Sequence, residues 1–332
     1  LPLALWLDAD RMGRLLPVMD QTKLDLQRDV VKNERRQRVD NVPYGRWNET
    51  VMAALYPATH PYHWPVIGSL ADLTAASVDD VKQFFRTYYA PNNASIVIAG
   101  DFNRDSALAW VNRYFGGIPR GPQLPPRPVV PAFEIARDTF LVFEDRVTLP
   151  RVYETWHTGK IFAADDAPLD VLADILAGGK NSRLYSRLVF EMQVAQDVLA
   201  FNNSTKLDGY FNIAVTPKPG QTPARMAELV MEEVNRVVKD GVTPRELARA
   251  LNSRRAAFLD RMASVYGKSD RLNEYNYFTG NADYIQADAA RYDKVTAADV
   301  QRAAAKYLTK PKVVLTVVPT GKKELMVSGG AK

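Results

Sequence analysis

Hydrophobic and polar positions divide the chain into helix-period and strand-period segments with clear punctuation between them. Leu24, Gln27, Val30, Val31 and Glu34 fall at spacings that share one helical face. They predict a helix over about 20–41 that runs into the turn at Pro43 and Gly45. Further on, Ser77-Val-Asp-Asp80 has the form of a capping box and opens a helix that continues through Val81 to Tyr88 and stops at Pro91. The β-branched run SIVIAGDF (95–102) comes next and predicts a buried strand. The same order recurs near the end: Thr296-Ala-Ala-Asp299, Val300, Tyr307, Pro311, then KVVLTVVP (312–319). Cap, helix, Pro stop and strand repeat together with nearly the same internal spacing, Ser77 matching Thr296, which predicts two related α+β domains.

Between the two copies, IPRGPQLPPRPVVP (118–131) contains six prolines. Such a segment supports neither a helix nor a central strand and reads as a semi-rigid linker. Beyond it, strands are expected at 139–146 and 151–159 and a helix at 166–177 closed by Gly178-Gly179. Asn181 or Ser182 then caps a helix over 183–194. A strand at 209–216 and helices at 223–239 and 244–280 complete the pattern, and GKKELMVSGGAK forms a tail.

A length of 332 residues fits two domains with sizeable cores. Hydrophobic content of 46% and charged content of 24% are those of an ordinary globular protein. No segment approaches the roughly 20 apolar residues of a membrane span. Asp8 and Asp10 interrupt the opening LPLALWLDADRMGRLL, which reads as the middle of a helix, so the chain is expected to begin inside a domain. The net charge of +5 is interspersed with acidic residues and shows no basic block with aromatics, so no nucleic-acid partner is expected. The absence of Cys excludes disulfide and thiolate chemistry.

Few residues carry candidate chemistry. Glu34 is a carboxylate on an apolar helical stripe, and either an ion pair with Arg38 at i+4 or a bound cation can compensate it. There are three histidines. His60 and His63 are spaced like a metal pair, but Pro61 and Pro65 bar the helix that makes two imidazoles converge, so loop packing is their expected role. His157 sits beside Trp156 in a predicted strand and reads as a strand residue. Gly178-Gly179-Lys180-Asn181-Ser182 lacks the spacing of a phosphate loop, and the helix-cap reading is the stronger.

Three segments together resemble the pitrilysin/insulinase family of zinc peptidases, the inverzincins, in its bacterial processing-peptidase-like subgroup. VVKNERRQRVDNVPYG (30–45) is similar to the family's third-ligand helix. HPYHWPVIGSLADLTAASVDDVKQFFRTYYAPNNASIVIAGDF (60–102) is similar to the family's segment after that helix, and LAGGKNSRLYSRLV (176–189) to the opening of its second domain. The resemblance implies zinc held by two His of an H-x-x-E-H motif and by a later Glu, here Glu34. The motif's own Glu takes a proton from zinc-bound water. H-x-x-E-H is absent, and Glu34 lies too close to Leu1 for the motif's usual place upstream. Two other positions depart from the family. The Glu that supports the ligand from two helical turns earlier is Gln27, and the substrate-gripping Arg and Tyr fall on Val189 and Gln196.

The resemblance therefore implies two related metallopeptidase-type domains, each a mixed or antiparallel sheet packed with helices, the first incomplete. Residues 1–117 would be the remainder of the N-terminal domain, 118–132 the linker, 133–320 a C-terminal domain of the same topology and 321–332 the tail. The parent is expected to cleave peptide substrates in a clamshell chamber, with a second subunit or fused half carrying the Arg/Tyr pair. A homodimer is a further way to close an open sheet edge. This chain, with one ligand, is expected neither to hold zinc stably nor to hydrolyse peptides. The alternative is a non-catalytic family subunit with a structural or partner-binding role. A periplasmic setting rests on the resemblance alone.

Overall fold

The computed structural model describes residues 1–127, 129–131 and 133–329. Its first helices are α1 (Pro2–Val18), α2 (Gln21–Arg35), α3 (Trp47–Leu55), α4 (Leu70–Ala75), α5 (Val78–Tyr88) and α6 (Arg104–Phe115). Strands β1 (Thr139–Asp145) and β2 (Arg151–Thr158), α7 (Asp166–Ala177), β3 (Ala195–Ser204) and β4 (Gly209–Pro217) come after them. The last elements are α8 (Pro223–Asp240), α9 (Pro244–Ala263), α10 (Val265–Thr279), α11 (Ile285–Asp293), α12 (Ala297–Tyr307) and β5 (Val313–Pro319).

Short polar side chains start several of the helices, because each N-terminal turn has amides without carbonyl partners. The Asp20 carboxylate accepts from the Lys23 amide at 2.8 Å to start α2. Ser77 and Thr296 form full capping boxes with Asp80 and Asp299, as their spacing predicts. Gly179 adopts φ +86° just past α7, the left-handed conformation expected of the Gly-Gly stop. The stretch 244–280, predicted as one helix, is two: Ser264 breaks it and caps α10 by accepting from the Gly267 amide at 2.9 Å.

The chain divides into two compact units. One comprises Leu1–Arg38, Val66–Val129 and Arg261–Ala282; the other comprises Val39–Pro65, Val130–Asp260 and Asp283–Lys332. This division does not follow the linear boundary at 117, since the 39–65 segment packs with the second unit and α10 with the first. In the first unit α1 lies on α5 and α6, and its Leu5 and Ala9 are buried. The segment SIVIAGDF forms no strand, although its composition predicts one. A strand needs a neighbour to receive its ladder hydrogen bonds, and none lies in this unit among the described residues.

The second unit holds a five-stranded mixed sheet in the order β1-β5-β2-β4-β3, with β1 and β5 parallel and the other pairs antiparallel. Val152 and Trp156 of β2 point into a core shared with α7, α8 and α12. Tyr153, between them, points into a second core with Val51, Leu55 and Tyr56 of the 39–65 segment. Both faces of the sheet are thus covered, and every residue of β4 is buried.

Candidate functional site

Glu34 stands at the C-terminal end of α2, immediately before a π turn over Arg36–Asp40. π turns are rare and often accompany functional positions. The helix docks through a face that the sequence pattern places differently. Leu24 and Arg35 are buried, Arg28 and Val31 are half-buried, and Gln27 and Val30 are exposed. Two arginines on the docked face fasten α2 to the 68–76 segment. Arg28 Nη2 donates to the Ala76 carbonyl at 2.6 Å, and Arg35 Nη1 donates to the Gly68 carbonyl at 2.9 Å. Long guanidinium stems can pack as apolar residues do while their heads reach backbone oxygens. A hydrophobic pattern counts them as polar and misplaces the stripe.

The Glu34 side chain is 38% exposed and accepts from Arg38 Nη1 at 2.8 Å. Arg38 is itself solvent-facing, so this pair holds the carboxylate weakly, at about 0–1 kcal/mol. Gln27, two helical turns earlier, is exposed.

The histidines serve packing and hydrogen bonding within the second unit. His60 Nδ1 accepts from the Tyr62 amide at 3.0 Å, capping the 3-10 turn Pro61–His63, and its ring stacks on Tyr56. His63 Nδ1 lies 2.7 Å from the Tyr56 carbonyl. His157 faces the Leu55 carbonyl and the Asp208 carboxylate. Among the described residues no three of His, Cys, Asp and Glu come together as a metal-binding group. A catalytic zinc needs three protein ligands, and the described residues bring no such set together.

At the other positions singled out, Val189 is half-buried in a π-helical segment, Tyr185–Glu191, where an α-helix is expected. Gln196 is exposed at a bulge near the start of β3, the edge strand that the sequence pattern did not reveal. Ser182 is buried and donates to the Gly179 carbonyl at 2.6 Å, which binds it into the turn after α7.

Ser182, Arg183, Arg187, Glu233, Arg236 and Glu246 are among the residues lining a cleft of about 470 Å³. Its arginines are paired: Arg183 donates twice to Glu246, at 2.6 and 2.9 Å, and Arg187 and Arg236 both donate to Glu233. The Arg183 guanidinium, helped by the Thr243 amide and hydroxyl, holds the Glu246 carboxyl down at about 2. These charges neutralise one another, and the cleft is a network of ion pairs joining the 182–191 segment to α8 and α9. The two sides of the network come from separate parts of the chain, so no local spacing signals it.

Residues 75–254, more than half of the chain, match the family described as Peptidase M16 inactive domain, and the chain belongs to the peptidase M16 family. Among curated relatives, the zinc protease PqqE of Helicobacter pylori is 27% identical over 287 residues, covering 85% of this chain and 64% of that protein. The non-peptidase homolog YmxG of the same organism is 24% identical over 224 residues, covering 67% of this chain and 50% of its own length. The chain thus spans about 64% or less of the length of these two relatives. Solved structures agree on the fold. A protease from Helicobacter pylori superposes with a TM-score of 0.85 at 23% identity, covering 96% of this chain and 76% of that one. A peptidase M16 inactive domain from Pseudomonas fluorescens superposes at 0.81 and 22% identity, covering 96% and 74%. The resemblance to the pitrilysin-like peptidases and the mixed helix-and-sheet fold are both borne out.

Proposed function

We propose that this chain is the zinc-side part of an M16 metalloendopeptidase, with Glu34 as the third zinc ligand and the two histidines carried on polypeptide outside these 332 residues. The observation that carries this reading is Glu34 itself, a half-exposed carboxylate at a helix end whose arginine partner faces solvent and can be exchanged. The zinc-protease names of the relatives and the length they have beyond the matched region support it. So does the face of α5. Helix α12, which starts with the same kind of capping box, buries Val300, Ala303 and Ala304, whereas α5 buries no residue and leaves Phe84 56% and Tyr88 43% exposed. An apolar face of this kind fits cover by further polypeptide. Gln27 would take the outer position beside the ligand.

On this reading zinc, when bound in the whole protein, would polarise the scissile carbonyl of a peptide and activate water. Within this chain Glu34 would hold the metal only, and the chain by itself is expected to be inactive. Val189 and Gln196 provide neither the charge nor the acidic hydroxyl that would steady a substrate or an oxyanion. A second family subunit or fused half with an Arg and a Tyr is therefore part of the proposal, and a bacterial periplasmic setting goes with it by resemblance. The second reading, a non-catalytic subunit, is favoured by the relative described as a non-peptidase homolog.

The test is the encoded polypeptide at its full length, assayed for zinc content and for cleavage of unstructured peptides with and without its partner half. Activity confined to the pair, with zinc and activity both lost in Glu34→Ala, is expected. A full-length sequence without H-x-x-E-H, inactive in every pairing, establishes the non-catalytic reading. Stoichiometric zinc on the present chain alone, lost in Glu34→Gln, would show that other ligands exist within it.

A further inference from the structure

Residues 118–127, IPRGPQLPPR, lie in the first unit and form neither helix nor strand. Pro119, Pro122 and Pro125 recur at every third residue. That is the repeat of a polyproline II helix, which has three residues per turn and the φ that proline already fixes. Burial along the segment has the same period. Ile118, Gly121 and Leu124 are half-buried, while Pro119, Arg120, Pro122, Gln123, Pro125 and Pro126 are exposed. One edge of the three-sided helix rests on the unit, and the two edges that carry the prolines face outward. The rotation of the segment is fixed at Gly121. Its amide donates to Asn92 Oδ1 at 2.9 Å, and Asn92 Nδ2 donates to the Pro122 carbonyl at 2.9 Å. A Cβ on Gly121 would stand 2.4 Å from the Cβ of Ala90, so only glycine lets the backbone approach this closely. Asn92 is itself placed by the 3-10 turn Pro91–Asn93 that comes after α5.

We propose that this segment is a docking ligand for a partner domain that takes polyproline II helices in an aromatic-lined groove with carboxylates beside it. Pro125 and Pro126 are adjacent, so each outward edge presents one ring, and such rings slot between aromatic side chains. Pro119 to Pro125 makes two turns, roughly 19 Å, enough to fill more than one such slot. The carbonyls of this helix type make no internal hydrogen bonds and stay open to tryptophan or tyrosine donors from a groove. Arg127 is exposed directly after the proline pair, and Arg120 is exposed before it. Both cations favour carboxylates on the partner, and Arg127 sets the direction in which the segment docks. A spacer has no need of a fixed rotation about its own axis. Here Asn92 and Gly121 fix it, so the prolines are already turned outward and little conformational freedom is lost on binding.

The probe is a 15N-labelled WW domain of the kind that takes Pro-Pro-Arg ligands, titrated with the intact, unlabelled chain and followed by NMR. Shifts confined to its groove aromatics are expected. Arg127→Ala should weaken binding about tenfold, the loss of one charge-assisted hydrogen bond, and Pro125→Ala at least as much. Both residues are exposed, so the far-ultraviolet circular dichroism of each variant should match the parent. Val129→Ser removes a 94% exposed apolar side chain outside the motif and should leave the affinity unchanged. No shift at about 1 mM chain, an affinity unaltered by Pro125→Ala and Arg127→Ala, or an equal loss in Val129→Ser each overturns the proposal and leaves the segment a linker only.

Discussion

Replacing Lys312 with Met should destabilise the second unit strongly, and removing its partner as well should reverse most of the loss. Lys312 Nζ donates to Glu154 Oε1 at 2.5 Å and lies 5.2 Å from the centre of the Trp156 ring. Glu154 is on β2, inside the sheet, and is 2% exposed. Its second oxygen, Oε2, is buried and receives no hydrogen bond from the described residues. The lysine therefore carries nearly all the compensation of that carboxylate. Removing one partner of a buried pair costs about 3–5 kcal/mol, because the other charge stays behind without water. For a unit of this size each kcal/mol lowers Tm by roughly 2–4 °C, so a drop on the order of 10 °C is expected at pH 7. Burial already holds the Glu154 carboxyl above its ordinary value, and without Lys312 it moves further up. A carboxyl raised in the folded state destabilises at pH above that raised value, and the loss fades as pH falls towards the unfolded value. The deficit of Lys312→Met should accordingly narrow between pH 7 and pH 4. The double variant Lys312→Met/Glu154→Leu should return to within about 1–2 kcal/mol of the parent, since apolar replacement of a whole buried pair is often neutral. Urea unfolding followed by circular dichroism measures all three. A single variant of nearly parental stability, or a double no better than the single, would refute the assignment of Lys312 as the compensating charge.

Two other titrations are expected from the geometry. Glu246, held at about 2 by Arg183 and Thr243, stabilises the fold above its unfolded value near 4.3, and that stability is lost as pH falls towards 2; Glu246→Gln should cost about 2 kcal/mol at pH 7 and flatten the acid limb of a stability–pH curve. His60 is held below its ordinary value, first by burial and then by the nearby His157. Its neutral form is favoured in the fold, so its contribution is present above about pH 6.5 and declines as pH falls below it. His60→Asn, which keeps a cap acceptor, should retain protection of residues 60–64 in acid, while His60→Ala should lose it at every pH.

Elements differ in how far their residues foretell them. The capping boxes at Ser77 and Thr296, the glycine stop after α7 and the strands β1, β2, β4 and β5 are local: propensity, period and a nearby polar side chain decide them, and all formed where the pattern put them. Glu34 was legible as a candidate because its spacing placed a carboxylate on a helix that resembles a known ligand helix. Its environment was not. Which face of α2 docks depended on Arg28 and Arg35 finding the carbonyls of Ala76 and Gly68, residues that only folding brings near. The strand expected at 95–102 fails for the converse reason: β propensity is local, but a strand exists only if another strand pairs with it. The ion-pair cleft, the Lys312–Glu154 pair and the two acceptors around His157 all join residues far apart along the chain. Local residue chemistry set where helices start, where glycine turns the chain and which family's pattern the segments match. Packing set which charges are buried together, because burial and distance, not residue type, fix what a charged side chain can do.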